Sequence, residues 1–294
     1  MGRWREGGAW APLLAVAVLI SPALAACGSG GVGAANRFDV EIREPSPGEV
    51  RISSPSSVGS GLVELRVKNS GESVHEAQLV RVEDDRSRDD VLDFFRSTQR
   101  PGAPVPAWIR EGGGAVQIPP GRTVTVMQRL TEGQWYLADG LAPEGPGNPP
   151  SFLERGGLVA FTVTSGGSAA DLPDGDARIT ARDYTFTARG LKPGTQSVRF
   201  DNRGRQFHHV VAAPLLAGRT IEDARTFFAS DNPTTPPPVN FDAAVGLAVI
   251  DRGESIVTDL RLTRGTWILA CFINDRTGGP PHVTKGMLQE IKVG

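Results

Sequence analysis

The chain has 294 residues, with 31 Lys+Arg against 33 Asp+Glu and a formal net charge of −2. That balance excludes a nucleic-acid footprint, which needs a concentrated basic surface. With 36 Gly and 23 Pro, about a fifth of the chain against an average near 12%, the sequence is turn-rich and favours short strands over long helices. Two Cys cannot staple a scaffold, and four His bound the metal chemistry available.

The first element is a targeting segment at 1–26. Arg3 and Arg5 precede the apolar run Ala9 to Ile20, and small residues follow Pro22. This reads as a secretory signal, too short to span a membrane comfortably. It ends in Leu24-Ala25-Ala26-Cys27, and a Gly/Ser-rich tether covers 27–36. The ending resembles the lipobox of bacterial lipoproteins. The resemblance implies a lipidated Cys27 at the mature N-terminus and a protein held on the extracytoplasmic face of the cell membrane. The alternative is an ordinary secretory signal with an incidental Cys. Once Cys27 is lipidated, Cys271 has no intramolecular partner and needs a reason: intermolecular pairing, burial or a metal.

Beyond the tether the chain matches itself. Asn69-Ser-Gly-Glu-Ser-Val-His75 lies over Asn202-Arg-Gly-Arg-Gln-Phe-His208, and Ser87 to Ser97 lies over Thr220 to Ser230. Leu130-Thr-Glu-Gly-Gln-Trp135 lies over Leu262-Thr-Arg-Gly-Thr-Trp267. This divides the chain into domains at 37–165 and 177–294, joined by a polar linker at 166–176. Leu62 to Val67, Thr123 to Leu130, Ser197 to Phe200 and Ser255 to Leu262 alternate with period two and read as strands. Trp135 and Trp267 open further strands, and the last ones run Leu158 to Val163 and Leu288 to Val293. One helix per copy starts at Ser87 or Thr220, with an Asp close to a capping box and a Phe-Phe pair expected to pack inward. The fold class is all-β: two tandem Greek-key β-sandwiches, each with one short helix. The paired acids Asp84-Asp85 and Asp89-Asp90 fit the solvated, dipole-compensating start of the first helix.

Chemistry concentrates in the second copy. Cys271 ends the strand opened by Trp267, His282 and Met287 follow before the final strand, and His208 comes after the Asn202-x-Gly turn. Singly, each has a bland reading: Cys271 as a small buried hydrophobe, His208 and His282 as loop histidines bonded to carbonyls, Met287 as core. Together and in this order they resemble a cupredoxin, a blue-copper domain. The resemblance implies a cupredoxin-like fold for both copies. It implies one copper ion in the second, held by His208, Cys271, His282 and an axial Met287. Two imidazoles and a thiolate with a weak axial thioether suit copper cycling between Cu(I) and Cu(II). His209 is an alternative ligand, although neighbours on a strand face opposite ways. The Cys-to-His spacer, Phe272 to Pro281, is longer than in small electron-transfer members, a length met in copper nitrite reductases.

In the first copy His75 remains, Asp139 replaces the thiolate, and a loose alignment puts Leu153 and Leu158 where His and Met would be wanted. That copy is therefore expected to be structural or a docking surface. Tandem domains of this kind also build copper oxidases and nitrite reductases. Both need more imidazoles than His75 and His209, the two left over, so a non-enzymatic protein is expected. The leading expectation is a membrane-anchored copper protein serving electron transfer or copper handling with a partner protein. The alternatives are a metal-free binding or scaffold module and a carrier of Cu(I).

Overall fold

The computed structural model describes residues 34–46, 48–98, 102–143, 150–230 and 233–294. The expected signal segment, Cys27 and most of the tether lie outside these residues. The first half runs β1 (Asn36–Ser46), β2 (Glu49–Ser53), β3 (Ser57–Asn69), β4 (His75–Val82), α1 (Arg88–Thr98), β5 (Ile109–Ile118), β6 (Thr123–Leu130), β7 (Gly133–Ala138) and β8 (Leu158–Ser168). The second runs β9 (Ala177–Arg182), β10 (Thr185–Arg189), β11 (Gly194–Asn202), β12 (His208–Pro214), α2 (Ile221–Ala229), β13 (Val245–Ile250), β14 (Ser255–Leu262), β15 (Gly265–Ala270) and β16 (Leu288–Val293). The order of elements is the same in both.

Alternation decides which side chains go inward. In β3, Val63, Leu65 and Val67 are buried while Glu64 and Arg66 face outward. The long β3 pairs along one edge with β6. Its other edge takes β8 at its start and β1 at its end, both parallel. Because β8 also pairs with β7, it carries the ladder from one layer to the other. The expected linker begins inside this strand, since β8 runs on through Gly166 and Gly167 to Ser168. Here the backbones touch: a Cβ on Gly61 would lie 1.8 Å from the Ser168 carbonyl oxygen, at a φ of 86° that favours glycine. Gly61→Ala should cost about 1–3 kcal/mol through strain and a displaced ladder, read as a lowered denaturant midpoint.

The halves are not beads on a linker. β6 pairs antiparallel with β14, setting Gln128 opposite Ile256, and β5 meets β13 at Gly112 and Ile250. One sheet path thus runs through both halves, and residues Gly33–Gly294 form one compact unit. Sequence alternation looks the same for a free edge strand and for one paired with a neighbouring domain, so this junction was not foreseen. The helices follow their caps. The Ser87 hydroxyl accepts from the Asp90 N–H, and Thr220 with Asp223 completes a capping box. Phe94 is buried as expected, whereas Phe227 and Phe228 are only half-buried.

Candidate metal centre

Two turns and one strand end bring the donors together. Asn202 shapes the first turn: its Nδ2 donates to the carbonyls of Gln206 (2.7 Å) and Ile250 (3.0 Å), and its Oδ1 accepts from Gly204 N–H (2.9 Å). That turn starts β12 with His208 pointing into the sandwich, fully buried. Cys271 follows β15 directly and is also fully buried. The spacer then leaves and returns. His282 N–H donates to Ile273 C=O (2.8 Å), Val283 N–H to Cys271 C=O (2.7 Å) and Met287 N–H to His282 C=O (3.0 Å). Cys271 N–H closes the bracket on Met287 C=O (3.2 Å). Backbone bonds therefore join Cys271, His282 and Met287 at the base of a long excursion.

Three donor atoms converge inside this bracket. His208 Nδ1 and His282 Nδ1 lie 3.2 Å apart, and Cys271 Sγ is 3.8 Å and 3.5 Å from them respectively. Metal bonds of about 2.0 Å to nitrogen and about 2.3 Å to sulphur, arranged near 120°, would set these atoms about 3.5–3.7 Å apart. The observed triangle fits such a plane. Met287 is fully buried beside it, attached through its backbone to Cys271 and His282. Among the described residues, His208, Cys271 and His282 form the group of three with metal-ligand geometry. This donor set fits a type 1 copper centre. His209 is outside it, its Nε2 accepting from Phe272 N–H at 2.8 Å.

Both imidazoles are aimed by carboxylates. His208 Nε2 lies 3.1 Å from Asp183 Oδ1, and His282 Nε2 lies 3.0 Å from Asp275 Oδ1. Each Nε2–H donates outward, which leaves both Nδ1 lone pairs facing the thiol. Asp183 also accepts from the Arg205 and Gln206 N–H groups, and Asp275 from Tyr184 Oη (2.9 Å) and Lys285 Nζ (2.5 Å). Burial opposes charge on these acids, but their donors prevail and hold both below the usual carboxylate range. Burial lowers His208 and, with the neighbouring His208, takes His282 down to about 4, so the imidazoles stay neutral. Burial also pushes the Cys271 thiol up to about 12. Two inward-facing imidazole lone pairs beside a thiol in a closed pocket are donors that a thiophilic cation would take up, displacing the thiol proton.

Gly204 is glycine for a reason sequence reading did not reach. A Cβ there would lie 2.3 Å from Asp183 Oδ1 and 2.9 Å from His208 Nε2, in the space the aiming carboxylate occupies. Asp183, Asp275, Tyr184 and Lys285 were also missed. The first-half acid nearest to that place is Glu44, which accepts from the Glu72 N–H (2.7 Å) but at 3.5 Å makes no hydrogen bond to His75 Nε2. Glu44 and Asp183 do not share the spacing of the repeat, so self-comparison carries no signal for them.

The same hydrogen bonds locate the first half's equivalents and correct the sequence alignment. Asp139 N–H donates to Gly157 C=O and Gly157 N–H to Phe152 C=O, both at 2.8 Å. Phe152 and Gly157, not Leu153 and Leu158, therefore stand where His282 and Met287 stand. His75 Nδ1 meets Asp139 Oδ2 at 2.6 Å, and its ring packs on Phe152 with centroids 4.5 Å apart. Asp139, in place of the thiolate, takes His75 Nδ1, and Phe152, in place of the second imidazole, covers its ring, while Gly157 puts no side chain where the thioether would stand. Beside it, burial and then the Asp139 charge push Glu76 up to about 8. A raised carboxyl favours the fold in its neutral form. That contribution is whole below the ordinary value of 4.5 and lost as pH rises through about 8. Glu76→Gln keeps an oxygen for Gly140 N–H. It should raise Tm by roughly 10 °C near pH 9, the equivalent of several kcal/mol for a carboxyl raised from 4.5 to about 8, and leave it unchanged near pH 4.

No protein-family model matches the chain, and no curated protein matches it. Among solved structures it is similar to reduced auracyanin from the photosynthetic bacterium Roseiflexus castenholzii, at 19% identity over 40% of this chain and 94% of that one, TM-score 0.25. It is similar to rusticyanin from Thiobacillus ferrooxidans at 18% identity over 40% and 75%, TM-score 0.24. A multicopper oxidase matches over 88% of both chains at 12% identity and TM-score 0.23. What the site can do rests on its own geometry.

Proposed function

We propose that this chain is an extracytoplasmic copper protein that exchanges single electrons through one centre held by His208, Cys271, His282 and Met287. A lipid on Cys27 would keep it at the membrane. The observation that carries the reading is the buried triangle of Cys271 Sγ and two imidazole Nδ1 atoms, 3.2 to 3.8 Å apart. Copper bound there would supply exchange between Cu(I) and Cu(II).

The protein's own residues do the rest. Asp183 and Asp275 hold each imidazole in the neutral, Nδ1-facing tautomer. The backbone bonds among Cys271, His282 and Met287 keep those ligands in place through a change of oxidation state. Full burial of His208, Cys271 and His282 keeps water out, which limits rearrangement when the charge changes. Of the other histidines, His75 is engaged by Asp139 and His209 by the Phe272 N–H. Neither joins a second metal cluster among the described residues, which favours electron carriage over a copper oxidase.

Voltammetry of the copper-loaded chain tests the reading. A reversible one-electron wave with copper retained in both states is expected. Copper held only as Cu(I) and released on oxidation would instead point to a Cu(I) carrier. A chain that retains no copper would leave a metal-free scaffold.

A further inference from the structure

The spacer between Cys271 and His282 does not hang free; it is bound to the first half. Val105 N–H donates to Arg276 C=O (2.8 Å) and Gly279 N–H to Gly102 C=O (3.2 Å). The Arg276 guanidinium donates through Nη1 to the carbonyls of Pro106 (3.0 Å) and Ile109 (2.9 Å), and through Nη2 to Asp251 (2.7 Å). Arg276 also reaches the other ligand-bearing turn: its N–H donates to Gln206 Oε1 (2.9 Å), and its guanidinium lies 5.3 Å from the Phe207 ring centre. Gln206 and Phe207 immediately precede His208, and Asp275, which aims His282, immediately precedes Arg276. The backbones meet closely as well, for a Cβ on Gly278 would lie 2.4 Å from the Gly102 carbonyl oxygen.

From this juxtaposition we propose that the first half is a working part of the metal centre. Its segment 102–109 clamps the ligand loop through Arg276, a positioning residue that fixes both histidine-bearing segments at once. The inference rests on the copper reading above. It explains how a long spacer can hold a ligand set rigidly: its span is anchored on a second domain rather than shortened. A planar, five-donor guanidinium can serve two carbonyls and a carboxylate together, which a lysine ammonium matches poorly.

The test compares full-length wild type with Arg276→Gln, Arg276→Lys and Val105→Pro. The last removes one N–H donor and lies wholly within the first half. Each is loaded with one equivalent of Cu(II), and its visible and EPR spectra and rate of copper loss to a chelator are recorded. Both Arg276→Gln and Val105→Pro should shift the copper spectrum and speed copper loss about tenfold, the low end of what outer-sphere changes cost. Arg276→Lys should fall between Arg276→Gln and wild type. Wild-type spectra and copper-loss rates in the variants would overturn the proposal even if their melting temperatures fall, since that is a purely structural role. If Val105→Pro does not fold, the Arg276 pair decides. A wild-type chain that takes no copper would remove the copper reading itself, and this inference with it.

Discussion

Cys271→Ser should leave a folded protein whose copper form is colourless. The thiolate is the only sulphur anion in the triangle, and its charge transfer to Cu(II) is the source of the expected intense visible band. Serine keeps the shape within one atom but offers a hard, reluctantly ionised oxygen among two imidazoles. Copper affinity should fall by more than about 100-fold, beyond the 10–100-fold that loss of an outer-sphere partner costs. The unloaded protein should stay close to wild type in melting temperature, because burial already keeps the Cys271 thiol neutral, pushed up to about 12. Competition with a chromophoric chelator and a thermal melt on the same sample separate the two effects. Retention of the visible band would rule out Cys271 as the ligand.

Asp275→Asn should have the second-largest effect. Its carboxylate takes the His282 Nε2–H at 3.0 Å while also holding Tyr184 and Lys285. An amide oxygen can still accept from His282, so the ring stays in place, but the negative charge that makes the imidazole a stronger donor is gone. Copper affinity should drop by about 10–100-fold, and the reduction potential should rise because Cu(II) loses more than Cu(I). Asp183→Asn should act in the same sense on His208. Voltammetry beside a copper competition assay checks both. An unchanged potential in both variants would show that the carboxylates only support the fold.

The donors themselves were legible because they are scarce. With four His and two Cys in the chain, an ordered His208, Cys271, His282 and Met287 leaves little room for coincidence. Strands showed in the alternation at β3, β6, β11 and β14, and the helix starts in Ser87 and Thr220. What aims the donors was not legible. Asp183 and Asp275 act through contacts that no local spacing marks, and Arg276 works across two halves that sequence divides at a linker. A gap between the two copies falls after Asp139, and self-comparison does not fix where, so Leu153 and Leu158 fall one residue beyond the true equivalents. The bonds from Asp139 to Gly157 and from Gly157 to Phe152 place it by geometry. Loss of the ligands there left the hydrogen-bond scaffold intact: Asn69 Nδ2 still donates to Ser73 and Ile118, as Asn202 does to Gln206 and Ile250.

The most direct measurement is addition of one equivalent of Cu(II) to the full chain, followed by visible absorption and EPR. The buried Cys271 thiol, deprotonated as copper binds, and two imidazoles predict one bound copper, an intense thiolate-to-copper band and the narrow copper hyperfine splitting of a covalent Cu–S bond. A colourless solution from which the copper is removed by simple buffer exchange would contradict the assignment of His208, Cys271 and His282 as a copper centre.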